Sequence, residues 1–76
     1  MSVNNIIRQY LYDRYPDIVH GGTLERLAFD EGYKASTFDR ACRKLRENNI
    51  IENIPNEKGH TRYRYILESD RPLLES

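Results

Sequence analysis

Thr23–Asn49 reads TLERLAFDEGYKASTFDRACRKLRENN, and two helical periods run through it, separated by a glycine. In the second half Phe38, Ala41, Cys42 and Leu45 fall at i, i+3, i+4 and i+7, which makes one stripe of a helix apolar and able to face a core. Ser36, Arg40, Arg43, Lys44 and Glu47 fall on the other side. Ser36 followed three residues later by Asp39 is a capping-box pattern, so the spacing predicts a helix starting near Thr37 and running to Asn49. In the first half Leu24, Leu27 and Ala28 make a shorter stripe, with Thr23 as the expected cap. Gly32 stands where a helix end takes a left-handed residue, and the turn is expected from Gly32 to Ala35.

Outward from this stretch the signals change in an orderly way. Towards the N-terminus, Val3, Ile6, Ile7, Tyr10, Leu11 and Tyr15 follow a helical period, Ser2 is a plausible cap and Pro16 stops the run. Tyr12 falls off that stripe and is expected to be exposed, with a dimer contact as its alternative use. Asp17-Ile18-Val19-His20-Gly21-Gly22 is a β-branched pair bounded by proline and glycines, too short for a free-standing strand. It serves either as a turn into the next helix or as one short strand of a small sheet. Its glycine pair lacks the spaced glycines and lysine of a phosphate-cradling loop. After Asn49 the period becomes that of a strand: Ile50–Ile54, then turn chemistry in Pro55–Gly59, then alternation from His60 to Leu67. In this second strand Tyr63, Tyr65 and Leu67 share one face and Arg62, Arg64 and Ile66 the other. A polar tail broken by Pro72 follows, with Leu73-Leu74 free to pack back, meet a partner chain or stay loose.

Leu27, Ala28, Gly32, Phe38 and Ala41 stand in the order and spacing of a helix-turn-helix, which the segment resembles. Considered alone it also fits a helical hairpin of some other small bundle. Three helices followed by a hairpin, with a short strand between the first two helices, resemble the winged helix-turn-helix DNA-binding domain, similar to small stand-alone prokaryotic or phage regulators. The resemblance covers Val3 to about Glu68. It implies an α+β fold, one domain over residues 1–68 and a C-terminal tail over 69–76. It also implies a recognition helix over 36–49 in the major groove and a wing over 51–67 on the backbone or minor groove. Carried onto this sequence, it puts Ser36, Thr37, Arg40 and Lys44 on the leading side of the recognition helix, where Arg or Lys can pair with guanine edges. Arg43 then meets phosphate, Lys34 adds charge at the turn, and Lys58, His60, Arg62 and Arg64 bring the wing to the DNA backbone.

Composition bounds these expectations. Seventy-six residues make one small domain with a small core and no room for an enclosed substrate cavity. Cys42 is the one cysteine, which excludes an internal disulfide and a multi-cysteine zinc site, and its place on an apolar stripe predicts a buried core residue. Neither paired carboxylates, nor a metal-ligand cluster, nor an activated nucleophile stands at a recognisable spacing, so no enzyme, cofactor or metal is expected. No basic segment leads into an apolar run at the N-terminus, and about 18 apolar residues never occur together, so neither export nor a membrane span is indicated and a cytoplasmic location, or a nuclear one in a eukaryote, is expected.

Formal net charge is zero, from 12 basic and 12 acidic residues. It is unevenly spread. From Lys34 to Arg64 there are eight basic and four acidic residues, a net of +4, which leaves four against eight, or −4, elsewhere. The positive part coincides with the proposed recognition helix and wing, as a phosphate-contacting surface requires. The expected function is therefore sequence-specific binding of double-stranded DNA by a small transcriptional regulator. A homodimer is also expected, because one module covers only about 600–1,000 Å² of DNA. The alternative is a winged-helix protein-interaction module of a larger assembly, with the basic residues as solubilising charge.

Overall fold

Ser2 opens the first helix, as predicted. Its side chain accepts a hydrogen bond from the Asn5 amide at 3.3 Å, and α1 runs over Val3–Arg14. The computed structural model describes residues 2–56 and 58–71. Val3, Ile7 and Leu11 are buried along one side of α1, while Ile6 and Tyr10 are half-buried beside them. The Arg14 guanidinium lies 3.6 Å above the Tyr10 ring and covers that flank. Tyr12 is 55% exposed, as its place off the stripe requires.

The chain then forms a two-residue strand, β1 (Val19–His20), and passes directly into α2 (Gly21–Asp30). Here the sequence reading needs correction. Thr23 is not the cap: the helix begins at the double glycine, and Thr23 lies within its first turn. The Gly21 amide donates instead to the Thr61 carbonyl at 2.8 Å, so a backbone group distant in sequence does the work of a capping side chain. A Cβ on Gly21 would sit 3.1 Å from that carbonyl, which is why the approach suits glycine.

Gly32 terminates α2 as expected. Its φ is +88°, its amide donates to Phe29 O at 2.9 Å, and the Tyr33 amide donates to Ala28 O at 3.0 Å. That hydrogen-bond pair closes the helix on carbonyls of its last turn. The next helix, α3 (Ala35–Glu47), follows after one further residue. The predicted Ser36–Asp39 capping box does not start it. Lys34 occupies the cap position without a side-chain bond, and its carbonyl accepts from the Phe38 amide at 3.0 Å, which leaves Ser36 inside the first turn. The turn is thus tighter than the spacing suggested. The far end of α3 repeats the same closure with asparagine. Asn49 has φ +58°, its amide donates to Arg46 O at 3.0 Å, and the Ile50 amide donates to Leu45 O at 2.9 Å. The helix therefore ends at Glu47 and not at Asn49.

Two strands complete the fold, β2 (Ile51–Asn53) and β3 (Arg62–Tyr65). With β1 they form a three-stranded antiparallel sheet in the order β1-β3-β2, with β3 pairing Val19 to Tyr63 on one side and Ile51 to Tyr65 on the other. The short-strand reading of Val19-His20 is the one that holds. As the alternation predicted, Tyr63 and Tyr65 turn into the core, while Arg62 and Arg64 stay half-exposed on the other face. A short 3-10 turn, Glu68–Asp70, follows. Arg71 then folds back, donating to Ile66 O at 3.2 Å and to the Tyr65 hydroxyl at 2.8 Å. Leu73-Leu74, most of the proposed tail, and Glu57 of the hairpin turn lie outside the described residues. No helix among the described residues is long and apolar enough to cross a membrane.

The core gathers Val3, Ile7 and Leu11 of α1, Leu24 and Ala28 of α2, Phe38, Ala41, Cys42 and Leu45 of α3, and Val19, Ile51, Tyr63 and Tyr65 of the sheet. Phe38 is 5% exposed and anchors α3. Cys42 is buried, as expected, in the same core as Tyr63 of β3. Burial pushes the thiol up from 9.0 to about 11 and the phenol up from 10.0 to about 12, because neither charged form is solvated there.

Two predictions follow from this packing. Space around Gly32 is open, so the cost of replacing it comes from its backbone: Gly32→Ala should lose about 1–2 kcal/mol and Gly32→Val more. Phe38→Ala should lose about 3–5 kcal/mol. Thermal melting measures both, and parent-like melting of Gly32→Val and Phe38→Ala would contradict the packing of α2 on α3. For the Cys42–Tyr63 pair, the unfolded chain gives up its protons before the folded one does. The stability that the pair contributes is therefore whole below pH 9 and is lost as pH rises through the folded values. Denaturation midpoints should decline above pH 9, and less so in Cys42→Ala. An equal decline in that variant would show that the thiol is not a source of it.

Candidate nucleic-acid interface

An exposed face is left on α3 once its apolar stripe is buried. Ser36, Arg40, Arg43, Lys44 and Glu47 are exposed there and Thr37 is half-buried at its edge. Helical geometry brings Ser36, Arg40 and Arg43 onto one line with Glu47. Among the described residues no carboxylate lies within salt-bridge distance of Arg40, Arg43 or Lys44. Lys34 is exposed at the start of the helix, beyond the Gly32 turn. Six of the sequence-predicted residues thus belong to one helix and its cap.

The other four are in the hairpin, and the structure divides them. Beyond β2 the pairing continues through the Ile54 amide, which donates to Arg62 O at 2.7 Å. At the tip, Asn56 Oδ1 accepts from the Lys58 and His60 amides at 3.0 Å each, and Gly59 takes φ +74°. An asparagine that holds its own turn in this way fixes the direction of the residues it carries. Lys58 and His60 are exposed. Arg62 bends back along the hairpin, with Nε donating to Ile54 O at 3.2 Å and Nη2 to Pro55 O at 3.1 Å. Arg64 pairs with Glu52, its register partner on β2, at 3.4 Å with both side chains a little over one-third exposed. An ion pair as exposed as this adds little stability, but it cancels a charge.

The two groups adjoin. A cleft of about 390 Å³ is lined by Phe38 and Asp39 of α3, by His20, Gly21, Gly22 and Glu25 around the start of α2, and by His60, Thr61 and Tyr63. The hairpin base therefore borders the first turns of α3. His20 has no role in the sequence reading. Its side chain is brought to this border by the pairing of His20 with Arg62, which nothing in the linear spacing signals.

No group of three or more His, Cys, Asp or Glu side chains that could hold a metal ion occurs among the described residues. Comparison with protein-family models, with curated proteins and with solved structures finds no match.

Proposed function

We propose that this protein is a winged helix-turn-helix module that binds double-stranded DNA in a sequence-specific way and acts as a small transcriptional regulator in the cytoplasm of a prokaryote or of a phage-infected cell. The observation that carries the reading is the outward face of α3, where Arg40, Arg43 and Lys44 are exposed without carboxylate partners among the described residues, next to a hairpin with Lys58 and His60 at its tip. Cations left unpaired on an exposed helix suit a polyanion. In this reading α3 lies in the major groove. Arg40, one turn in and opposite Phe38, reaches a base edge, where a bidentate pair with guanine discriminates by about 1–3 kcal/mol. Arg43 and Lys34 meet phosphate, and Ser36, Thr37 and Lys44 flank the base contact. Two copies on a two-fold-related site supply the tight binding that one module lacks.

A second reading, a protein-interaction module, draws on one observation: the exposed Tyr12 and Tyr15 rings pack edge-on against the buried Tyr65, at 5.2 and 6.5 Å. Failure to bind any duplex at low salt would favour it.

Selection of bound duplexes from a random pool, followed by a single-base mismatch panel, tests the DNA reading. Arg40→Ala should lower affinity for the selected site and relax choice at one base pair, with melting unchanged, whereas Arg43→Ala should weaken all sites alike. Equal discrimination by Arg40→Ala and the parent would show that Arg40 reads no base. In the hairpin, Lys58→Ala should reduce the slope of log K against log salt by about 0.9, the share of one phosphate contact. Arg64→Ala should change it far less, because Glu52 already neutralises that side chain. A larger loss from Arg64→Ala than from Lys58→Ala would reverse this division of the wing.

A further inference from the structure

Tyr12 is the most exposed large hydrophobic side chain among the described residues, at 55%. Its ring is nevertheless packed on one side, standing edge-on to the buried Tyr65 at 5.2 Å, and the Tyr15 ring meets Tyr65 in the same way at 6.5 Å. Tyr12 is thus seated against the sheet and presented to solvent at once. An aromatic side chain seated in this way loses little conformational freedom on meeting a partner, which makes tyrosine a common anchor of protein interfaces.

Two grooves meet at this side chain. The first, about 360 Å³, is lined by Asn5, Arg8 and Gln9 of α1 together with Tyr12 and Tyr65. The second, about 570 Å³, is lined by Leu67, Glu68 and Ser69 together with the same two tyrosines. Arg8 and Glu68 are both exposed, and Asp70, also exposed, ends the short turn that Glu68 opens. One flank of Tyr12 therefore carries a guanidinium and the other carboxylates. Nearby charges of the opposite sign are engaged elsewhere: Asp13 Oδ1 accepts from Gln9 Nε2 at 2.8 Å, and Arg71 donates to the Ile66 carbonyl and the Tyr65 hydroxyl. None of the residues assigned to DNA lines either groove.

We infer that this face, formed by α1 and the chain that follows β3, binds a second copy of the protein about a two-fold axis passing beside Tyr12. In a two-fold interface both subunits use the same patch, so the patch must complement itself. This one does. An axis lying in the face between the two grooves turns the Arg8 side of each copy onto the Glu68 side of the other and brings the two Tyr12 rings together. Each Arg8 then meets Glu68 of the second copy, and the contact forms twice. A face with both flanks of one sign would instead call for an unlike partner of the opposite charge. The interface is built without the residues assigned to DNA, and the inference does not depend on the DNA reading.

The test is sedimentation of the full chain over a range of concentrations, without DNA, for the parent, Tyr12→Ala, Arg8→Glu, Glu68→Lys and an equimolar mixture of the last two. Matching melting curves check that these exposed substitutions leave the fold intact. The parent should dimerise, and Tyr12→Ala should weaken the dimer about tenfold. Arg8→Glu and Glu68→Lys should each do so by about tenfold as well, because each alone sets like charges opposite one another at both contacts. The mixture decides. A heterodimer of Arg8→Glu with Glu68→Lys has unlike charges at both contacts, so the mixture should associate within about threefold of the parent. A mixture that associates no better than its components places the contact elsewhere and overturns the inference. A parent that stays monomeric overturns it too: a dimer released by Leu73→Ser with Leu74→Ser would then assign the groove to the tail, and its continued absence would leave the face to an unlike partner.

Discussion

Arg62-Tyr63-Arg64-Tyr65 holds two strands at once, and the remaining architecture depends on that double pairing. A two-residue strand such as Val19-His20 cannot persist alone, and Ile51–Asn53 is scarcely longer. Set on either side of β3 in antiparallel register, they complete a sheet whose inner face carries Tyr63 and Tyr65. Tyr63 reaches Cys42 on α3, and Tyr65 receives Tyr12 and Tyr15 at the end of α1 and Arg71 from the chain beyond. A shift of one residue in β3 would place both tyrosines outside and both arginines within. The same register also makes α2 begin where it does, because its first amide is bonded to Thr61.

Features written in local periodicity were legible in the sequence. The stripes of α1 and α3, the Ser2 cap, the glycine that closes α2 and the alternation in β3 all depend on residues close together along the chain. Features decided by distant partners were not. Thr23 looked like a cap because nothing in the sequence shows that Thr61 O meets the Gly21 amide. Ser36 and Asp39 have the spacing of a capping box, but the Gly32–Tyr33 closure delivers the chain into its helical conformation by Ala35, before Ser36 is reached. Asn49 gives only a weak local signal for the left-handed conformation it takes, since most asparagines do not adopt it.

The candidate interface divides along the same line. That Arg40, Arg43 and Lys44 share a polar helix face is a matter of spacing, and the burial of Phe38, Ala41, Cys42 and Leu45 agrees with it. That Arg64 is matched to Glu52 and Arg62 to the Ile54 and Pro55 carbonyls depends on strand pairing. Counting charge along the sequence treated all four hairpin residues as equal, whereas the fold leaves Lys58 and His60 as the outward ones. Among the described residues, the exposed lysines and arginines of the Lys34–Arg64 stretch are thus those of α3 and its cap, together with Lys58 at the hairpin tip.

If the proposed DNA reading holds, a surface of this kind on a chain with zero formal charge binds a polyanion through local contacts and not through a general attraction of opposite charges. Release of counterions from the duplex then makes affinity fall steeply with salt. The dissociation constant of the protein for a random-sequence duplex, measured at 50, 100 and 200 mM salt, is the most direct test of the account. Binding at 50 mM that weakens on a straight line of log K against log salt, with a slope worth several phosphate contacts at about 0.9 each, is the predicted result. No binding at 50 mM, or binding that does not change with salt, would contradict it.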